Sequence, residues 1–118
     1  MVVHVLITNN TAVVAKYPMH TRFIKGSVSD VFCAVRDEIH KGATLISHPL
    51  SGSIKPNESP YKSIAIAPTT GPLEYKSLCT IEDAISTLAR LPDRQRSYSE
   101  SVLEDFRIID LDLISHIK

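Results

Sequence analysis

The run Val2-Val3-His4-Val5-Leu6-Ile7-Thr8-Asn9-Asn10-Thr11 decides how the chain begins to fold. Its apolar, largely β-branched residues follow one another without the polar alternation of a half-wet strand, so Val2 to Ile7 predicts a strand covered on both faces. His4 is the one polar interruption. Thr8 to Thr11 are turn and cap formers, and Ala12 to Lys16 can form a short helix that must stop before Pro18. A strand passing directly into a helix opens a βα unit, which implies a sheet with helices packed on it.

Working outward, His20 to Lys25 predicts a brief strand ended by Gly26 and Ser27. The period then changes. Val28, Val31, Phe32, Val35 and Ile39 share one stripe of a helix running to Lys41, with Ser27 and Asp30 spaced as a capping box and Gly42 as the stop. Ala43 to Ser47 and Lys62 to Ala67 predict two further strands, and small Ala65 and Ala67 would let a helix approach closely on one face. Ser77 is placed to cap a helix whose apolar face includes Leu78, Ile81, Ala84, Ile85 and Leu88, ending at Pro92.

The tail, Ser99 to Ile117, predicts a last helix with Val102, Phe106, Ile109, Leu113 and Ile117 in one stripe. Ile108 and Leu111 point away from that stripe, which implies a break near Asp110, a second packed surface or a dimer contact through this helix. The whole order predicts a single α/β domain spanning residues 1–118. Its sheet would be mainly parallel, of about four strands sandwiched between helices, a three-layer Rossmann-like arrangement.

Composition narrows the function classes. In 118 residues, 13 Lys and Arg balance 13 Asp and Glu, so no global charge favours nucleic acid or an anionic membrane. Two cysteines, Cys33 and Cys79, make no disulfide framework. No apolar run approaches the ~20 residues of a membrane span, and the start lacks the basic region of a signal peptide. A cytoplasmic protein is expected.

Chemistry concentrates in the connection from Ser47 to Lys62, which has no helical or strand period of its own. Structureless loops near this length are uncommon in compact domains unless functional or disordered. Pro49, Pro56 and Pro60 stiffen it, while His48, Ser51, Ser53, Lys55, Asn57, Glu58, Ser59, Tyr61 and Lys62 supply donors, acceptors and charge. Ser51-Gly52-Ser53 followed by Lys55 has the parts of an anion cradle: a glycine for close backbone approach, two hydroxyls and an ammonium. It is neither a Walker loop nor a hydrolase elbow, and a self-satisfied Ω-loop would use the same serines.

In an open α/β sheet, ligands bind beyond the carboxyl ends of strands, where Asn9, Asn10, Ser27 and His48 all fall. Asn9 and Asn10 can present amides to a ligand or close an Asx-turn. Ser27 begins a helix whose positive end favours an anion. His48 is the candidate acid or base, with Glu58 as its orienter. Tyr61 and Lys62 open the next strand, so one faces the loop. Cys33, Asp37 and His40 share an outer helix face, but three ligands from one helix hold a metal poorly and no fourth is indicated. Arg36 and Asp37 are expected to tether that helix to a loop. No metal or cofactor is implied.

Several blocks carry a family resemblance. They are Thr8-Asn9-Asn10, Val35-Arg36-Asp37, Ile39-His40-Lys41-Gly42, His48-Pro49-Leu50-Ser51-Gly52-Ser53, Lys55-Pro56-Asn57-Glu58-Ser59-Pro60-Tyr61-Lys62-Ser63, and Glu104-Asp105-Phe106 with Ile109-Asp110. The chain resembles the GrdX family over nearly its whole length. That resemblance implies a small bacterial cytoplasmic accessory protein of the glycine, sarcosine and betaine reductase systems of amino-acid fermentation, a family with no established activity. This chain has Thr11 where the family pattern usually has Pro.

Three functions follow as expectations. The first is a module that binds a small anionic metabolite, phosphate or an acyl or carboxylate compound, through Asn9, Asn10, Ser27, His48, Ser51, Gly52, Ser53, Lys55, Asn57, Tyr61 and Lys62. The second is an interaction protein whose loop docks on a reductase component. The third is an acid/base enzyme acting on an acyl phosphate through His48 and Glu58.

Overall fold

A computed structural model describes residues 4–51, 57–92 and 98–116. Strand β1 (Val5–Thr8) leads into helix α1 (Thr11–Lys16), then β2 (Thr21–Phe23), α2 (Val28–His40), β3 (Thr44–Leu45), β4 (Ser63–Ala67), α3 (Tyr75–Arg90) and α4 (Glu100–Ser115). This is the predicted order. Val2, Val3 and Ile117, assigned to the first strand and last helix from sequence, lie outside the described residues.

The sheet corrects one expectation: it is mixed, not mainly parallel. Its strand order is β2-β1-β4-β3. β1 runs parallel to β2, but β4 lies antiparallel to both β1 and β3. Three strands therefore point one way, and the fourth is inserted between two of them in reverse. The cause is the segment between β3 and β4. It contains no described helix to carry the chain back across the sheet, so β4 returns alongside β3 as one arm of a long hairpin. The reversal brings the carboxyl ends of β1, β2 and β3 together with the amino end of β4 at one edge.

Alternation along the strands sorts the apolar residues onto two faces. Ile7, Ile64 and Ile66 pack with Val28, Val31, Phe32, Val35 and Ile39 of α2 and with Ile81 and Ala84 of α3. Leu6 and Ala65, pointing the other way, pack with Val13 of α1 and Ile114 of α4. Ala65 is the small residue that admits this helix. Burying side chains such as Phe32 or Ile7, each contributing roughly 1.5–3 kcal/mol, holds the layers together.

α2 starts as its sequence dictates. Ser27 accepts the N–H of Asp30, and the Asp30 carboxylate accepts the N–H of Ser27. It stops at Gly42, whose φ of +110° suits glycine, and where a Cβ would sit 2.6 Å from the Gly71 nitrogen. Arg36 pairs with Glu82 of α3 at 3.4 Å instead of tethering a loop. α3 begins before its expected cap: Glu74 is the N-cap, and Ser77 is buried. The Ser77 hydroxyl accepts the Leu45 N–H at 3.0 Å and donates to Glu74 at 2.6 Å, so it ties β3 to α3.

α4 is unbroken through Asp110. Its expected core stripe is not the face that meets the sheet. Asp110 and Ile114 are buried and Leu111 packs beside them, while Val102, Ile109 and Leu113 remain exposed. Polar bonds of Asp110 set this rotation. Among the described residues, no helix is long and apolar enough to cross a membrane.

Candidate functional site

At the edge where three strands end and β4 begins, Asn9 acts as a knot. Its Nδ2 donates to the carbonyls of Gly26 at 3.0 Å and Pro60 at 2.8 Å, and its Oδ1 accepts the Lys62 N–H at 2.9 Å. Both amide hydrogens are therefore used to join the ends of β1, β2 and β4. Asn10 is equally committed. Its Oδ1 caps α1 through Ala12, and its Nδ2 donates to the Arg107 carbonyl at 2.9 Å and to Asp110 at 3.0 Å.

Asp110 anchors a buried polar chain. It accepts the backbone N–H of Ser63 at 3.1 Å and the Ser63 hydroxyl at 2.7 Å. Since that hydroxyl has one proton, the Thr8 hydroxyl, 2.7 Å away, must donate to Ser63. Thr8 in turn accepts the Asn10 N–H at 2.9 Å. Burial pushes the Asp110 carboxyl above its ordinary range, while bonds from Ser63 and Asn10 and the charge of Lys62 pull the other way.

Lys62 is desolvated too, which lowers its ammonium pKa against the opposing influence of Asp110. It donates to the Ser51 carbonyl at 2.8 Å, closing the two ends of the loop upon each other. Tyr61 accepts from Arg107 at 3.0 Å, and the guanidinium stands 5.7 Å from the centre of its ring. Glu100 and Glu104 also bind Arg107 and help to raise its pKa.

His48 is exposed, and its Nδ1 accepts the Leu50 N–H at 3.1 Å, which assigns the neutral ring's proton to Nε2. Among the described residues, no hydrogen bond or ion pair joins it to Glu58, whose carbonyl accepts from Tyr98 at 2.8 Å. Of the anion cradle, Ser51 is exposed; Gly52, Ser53 and Lys55 lie outside the described residues.

Among the described residues, two cavities flank this edge. One, of about 240 Å³, is lined by Leu45, Ile46, Ser47, His48, Glu74, Lys76, Ser77 and Thr80. The other, of about 200 Å³, is lined by Ser27, Val28, Ser29, Asn57, Leu88, Leu91 and Pro92. Here two sequence-predicted residues meet across thirty positions. Asn57 donates to the Pro92 carbonyl at 2.7 Å, and its Oδ1 is buried without a hydrogen-bond partner among the described residues. The predicted residues thus divide: Ser27 and Asn57 share a cavity, His48 lines another, and Asn9 and Asn10 secure the fold.

Sequence reasoning missed Thr8, Ser63 and Asp110 as a unit, and Leu88, Leu91 and Pro92 as cavity walls. One signal was present: Asp110 stands in the otherwise apolar run Ile108-Ile109-Asp110-Leu111. A carboxylate there needs partners if that part of the helix is buried.

Taken together, these features define an α/β domain with a mixed four-stranded sheet, a polar knot at its strand ends and small cavities beside that knot. A family described as GrdX-like protein matches residues 5–117. The chain belongs to the GrdX-like protein family. Neither the curated proteins nor the solved structures yield a match.

Proposed function

We propose that this GrdX-like protein is a cytoplasmic bacterial accessory protein of the glycine, sarcosine and betaine reductase system that binds a small anionic metabolite beside the carboxyl edge of its sheet. One observation carries the proposal: Ser27 at the start of α2 and Asn57 of the long loop, thirty positions apart, line one cavity. The start of α2 adds the partial positive charge that favours an anion.

The test is a residue-resolved NMR titration of the nitrogen-15-labelled chain with phosphate, acetyl phosphate, glycine, sarcosine, betaine and acetate. Saturable shifts confined to the region of Ser27 and Asn57 are expected for one compound. No shift with any of them removes ligand binding from this class of compounds.

A second function, docking on a reductase component or pairing with a second copy, draws on α4. Val102, Ile109 and Leu113 stay exposed on it beside Asp105 and Asp112. Sedimentation of the chain alone and with purified reductase components would detect either assembly. An acid/base enzyme acting on an acyl phosphate has less support, since His48 has no described carboxylate partner.

A further inference from the structure

α4 turns only part of its apolar surface to the sheet. Ile114 and Leu111 pack against the Leu6 and Ala65 face, with Asp110 bonded beside them. Val102, Phe106, Ile109 and Leu113 lie on another side of the same helix, at successive spacings of four, three and four residues. That is the repeat along which a second helix stays in contact. Phe106 is half-buried against the ring of Tyr98, 5.2 Å away, while Val102, Ile109 and Leu113 are 36–38% exposed. The stripe runs for about three turns.

Charge is uneven around it. Acids and bases balance over the whole chain, but α4 carries Glu100, Glu104, Asp105, Asp110 and Asp112 against Arg107 alone. The Arg107 guanidinium is already held by Glu100, Glu104 and the Tyr61 hydroxyl. Asp110 is buried with Ser63 and Asn10. Asp105 and Asp112 remain, both exposed and seven residues apart, so they border the stripe on one side. Among the described residues, Asp105 has no hydrogen-bond or ion-pair partner. The Asp112 carboxylate reaches only His116, at 3.9 Å, a pair that exists only when that ring is protonated.

This border decides between occupants. In a second copy packed antiparallel on the stripe, Asp105 would face the second copy's Asp112. Packed parallel, it would face the side of the helix that holds Asp110, already taken by the sheet. Either pairing sets acid against acid, and an anionic membrane meets the same repulsion. A helix with basic residues beside its own apolar stripe is attracted by both aspartates.

We propose that this face of α4 docks an amphipathic helix of another protein whose apolar stripe is bordered by lysines or arginines. This rests on the docking function of α4 given above and names the chemistry of the partner. Val102, Ile109 and Leu113 supply the apolar contact, and Asp105 and Asp112 select the charge.

Two three-heptad peptides test it by NMR on the nitrogen-15-labelled full chain. Both carry leucine along one stripe; one has lysine at the bordering positions and the other glutamate. The lysine peptide should give saturable shifts at the Val102, Asp105, Ile109, Asp112 and Leu113 amides. It should bind at least about tenfold more tightly than the glutamate peptide, and more weakly as salt is raised. A chain carrying Asp105→Lys and Asp112→Lys, both at exposed positions, should prefer the glutamate peptide. Ile109→Ser should weaken the lysine peptide by about tenfold, whereas Ile108→Ser, exposed but off the stripe, should leave it unchanged. Sedimentation of the unaltered chain alone should show a monomer.

Equal affinity for the two peptides, an unchanged preference after the double charge reversal, or a dimer of the chain alone that Ile109→Ser dissociates would overturn the basic partner while leaving α4 a docking face. Silence with both peptides, from a chain that stays monomeric, would overturn both.

Discussion

Asp110 of α4 grips Ser63 of β4 twice, through its backbone N–H at 3.1 Å and its hydroxyl at 2.7 Å. One carboxylate thereby fixes both the position and the rotation of a sixteen-residue helix on the sheet. Asp110→Ala leaves the Ser63 N–H, the Ser63 hydroxyl and an Asn10 amide hydrogen without this acceptor. It should cost about 2–4 kcal/mol of stability, read from urea unfolding. Ser63→Ala, which keeps the backbone bond, should cost about half as much.

The same residue sets a pH dependence. An aspartate in the unfolded chain ionises near about 3.9, whereas burial holds folded Asp110 higher. Between these values the folded state binds more protons than the unfolded state. The Asp110 contribution therefore makes stability fall as pH rises through that window and level off above the folded pKa. Asp110→Asn should abolish this component. Unfolding free energies of the two proteins, measured between mild acid and neutrality, should differ in slope across the window.

Asn9 is predicted to matter for folding through its three bonds to Gly26, Pro60 and Lys62. Asn9→Ala should lose about 2–3 kcal/mol and speed hydrogen exchange at the Lys62 amide. Asn9→Asp should be at least as damaging, because a carboxylate cannot donate to the Gly26 and Pro60 carbonyls.

The rotation of α4 gives a paired test. Ile109→Ser and Leu113→Ser alter exposed side chains and should change stability by only about 0.5 kcal/mol. Ile114→Ser, in the core beside Leu6 and Ala65, should cost about 2–4 kcal/mol. Thermal unfolding that ranked these substitutions in reverse would place the other face of α4 on the sheet.

Two glycines separate conformational strain from collision. Gly42 and Gly71 both have positive φ, but a Cβ meets backbone at Gly42 and open space at Gly71. Gly71→Ala should cost about 1 kcal/mol, and Gly42→Ala distinctly more, seen as a larger fall in Tm.

Local signals were legible in the sequence. The Ser27 and Asp30 cap, the stripe from Val28 to Ile39 and the Gly42 stop lie within one helix and its ends, and the structure reproduces them. Strand direction was harder, because pairing between β3 and β4 depends on how a long connection turns, not on the residues within either strand. The facing of α4 was misread because an apolar stripe was weighed without Asp110, whose partners Asn10 and Ser63 lie far away in sequence. Ser27 and Asn57 were both singled out, but their meeting at a wall made by Leu88, Leu91 and Pro92 was not. That wall comes from the end of α3, and no local pattern joins it to the loop.

The bond from Asn10 to Asp110 spans 100 residues, and those from Ser63 to Thr8 and Asp110 span 55 and 47. β1 and α1 thus remain incomplete until β4 and α4 have been synthesised. At ~5–20 residues per second, the separation between Asn10 and Asp110 corresponds to roughly 5–20 seconds of translation. β4 is made about midway through that interval, so until then β1 lacks its partner along one edge, and throughout it Leu6 has no Ile114 of α4 to cover it. Contacts this distant in sequence slow folding, because the chain must close long loops before they reward it, and the sheet edge and Leu6 stay uncovered until β4 and α4 dock.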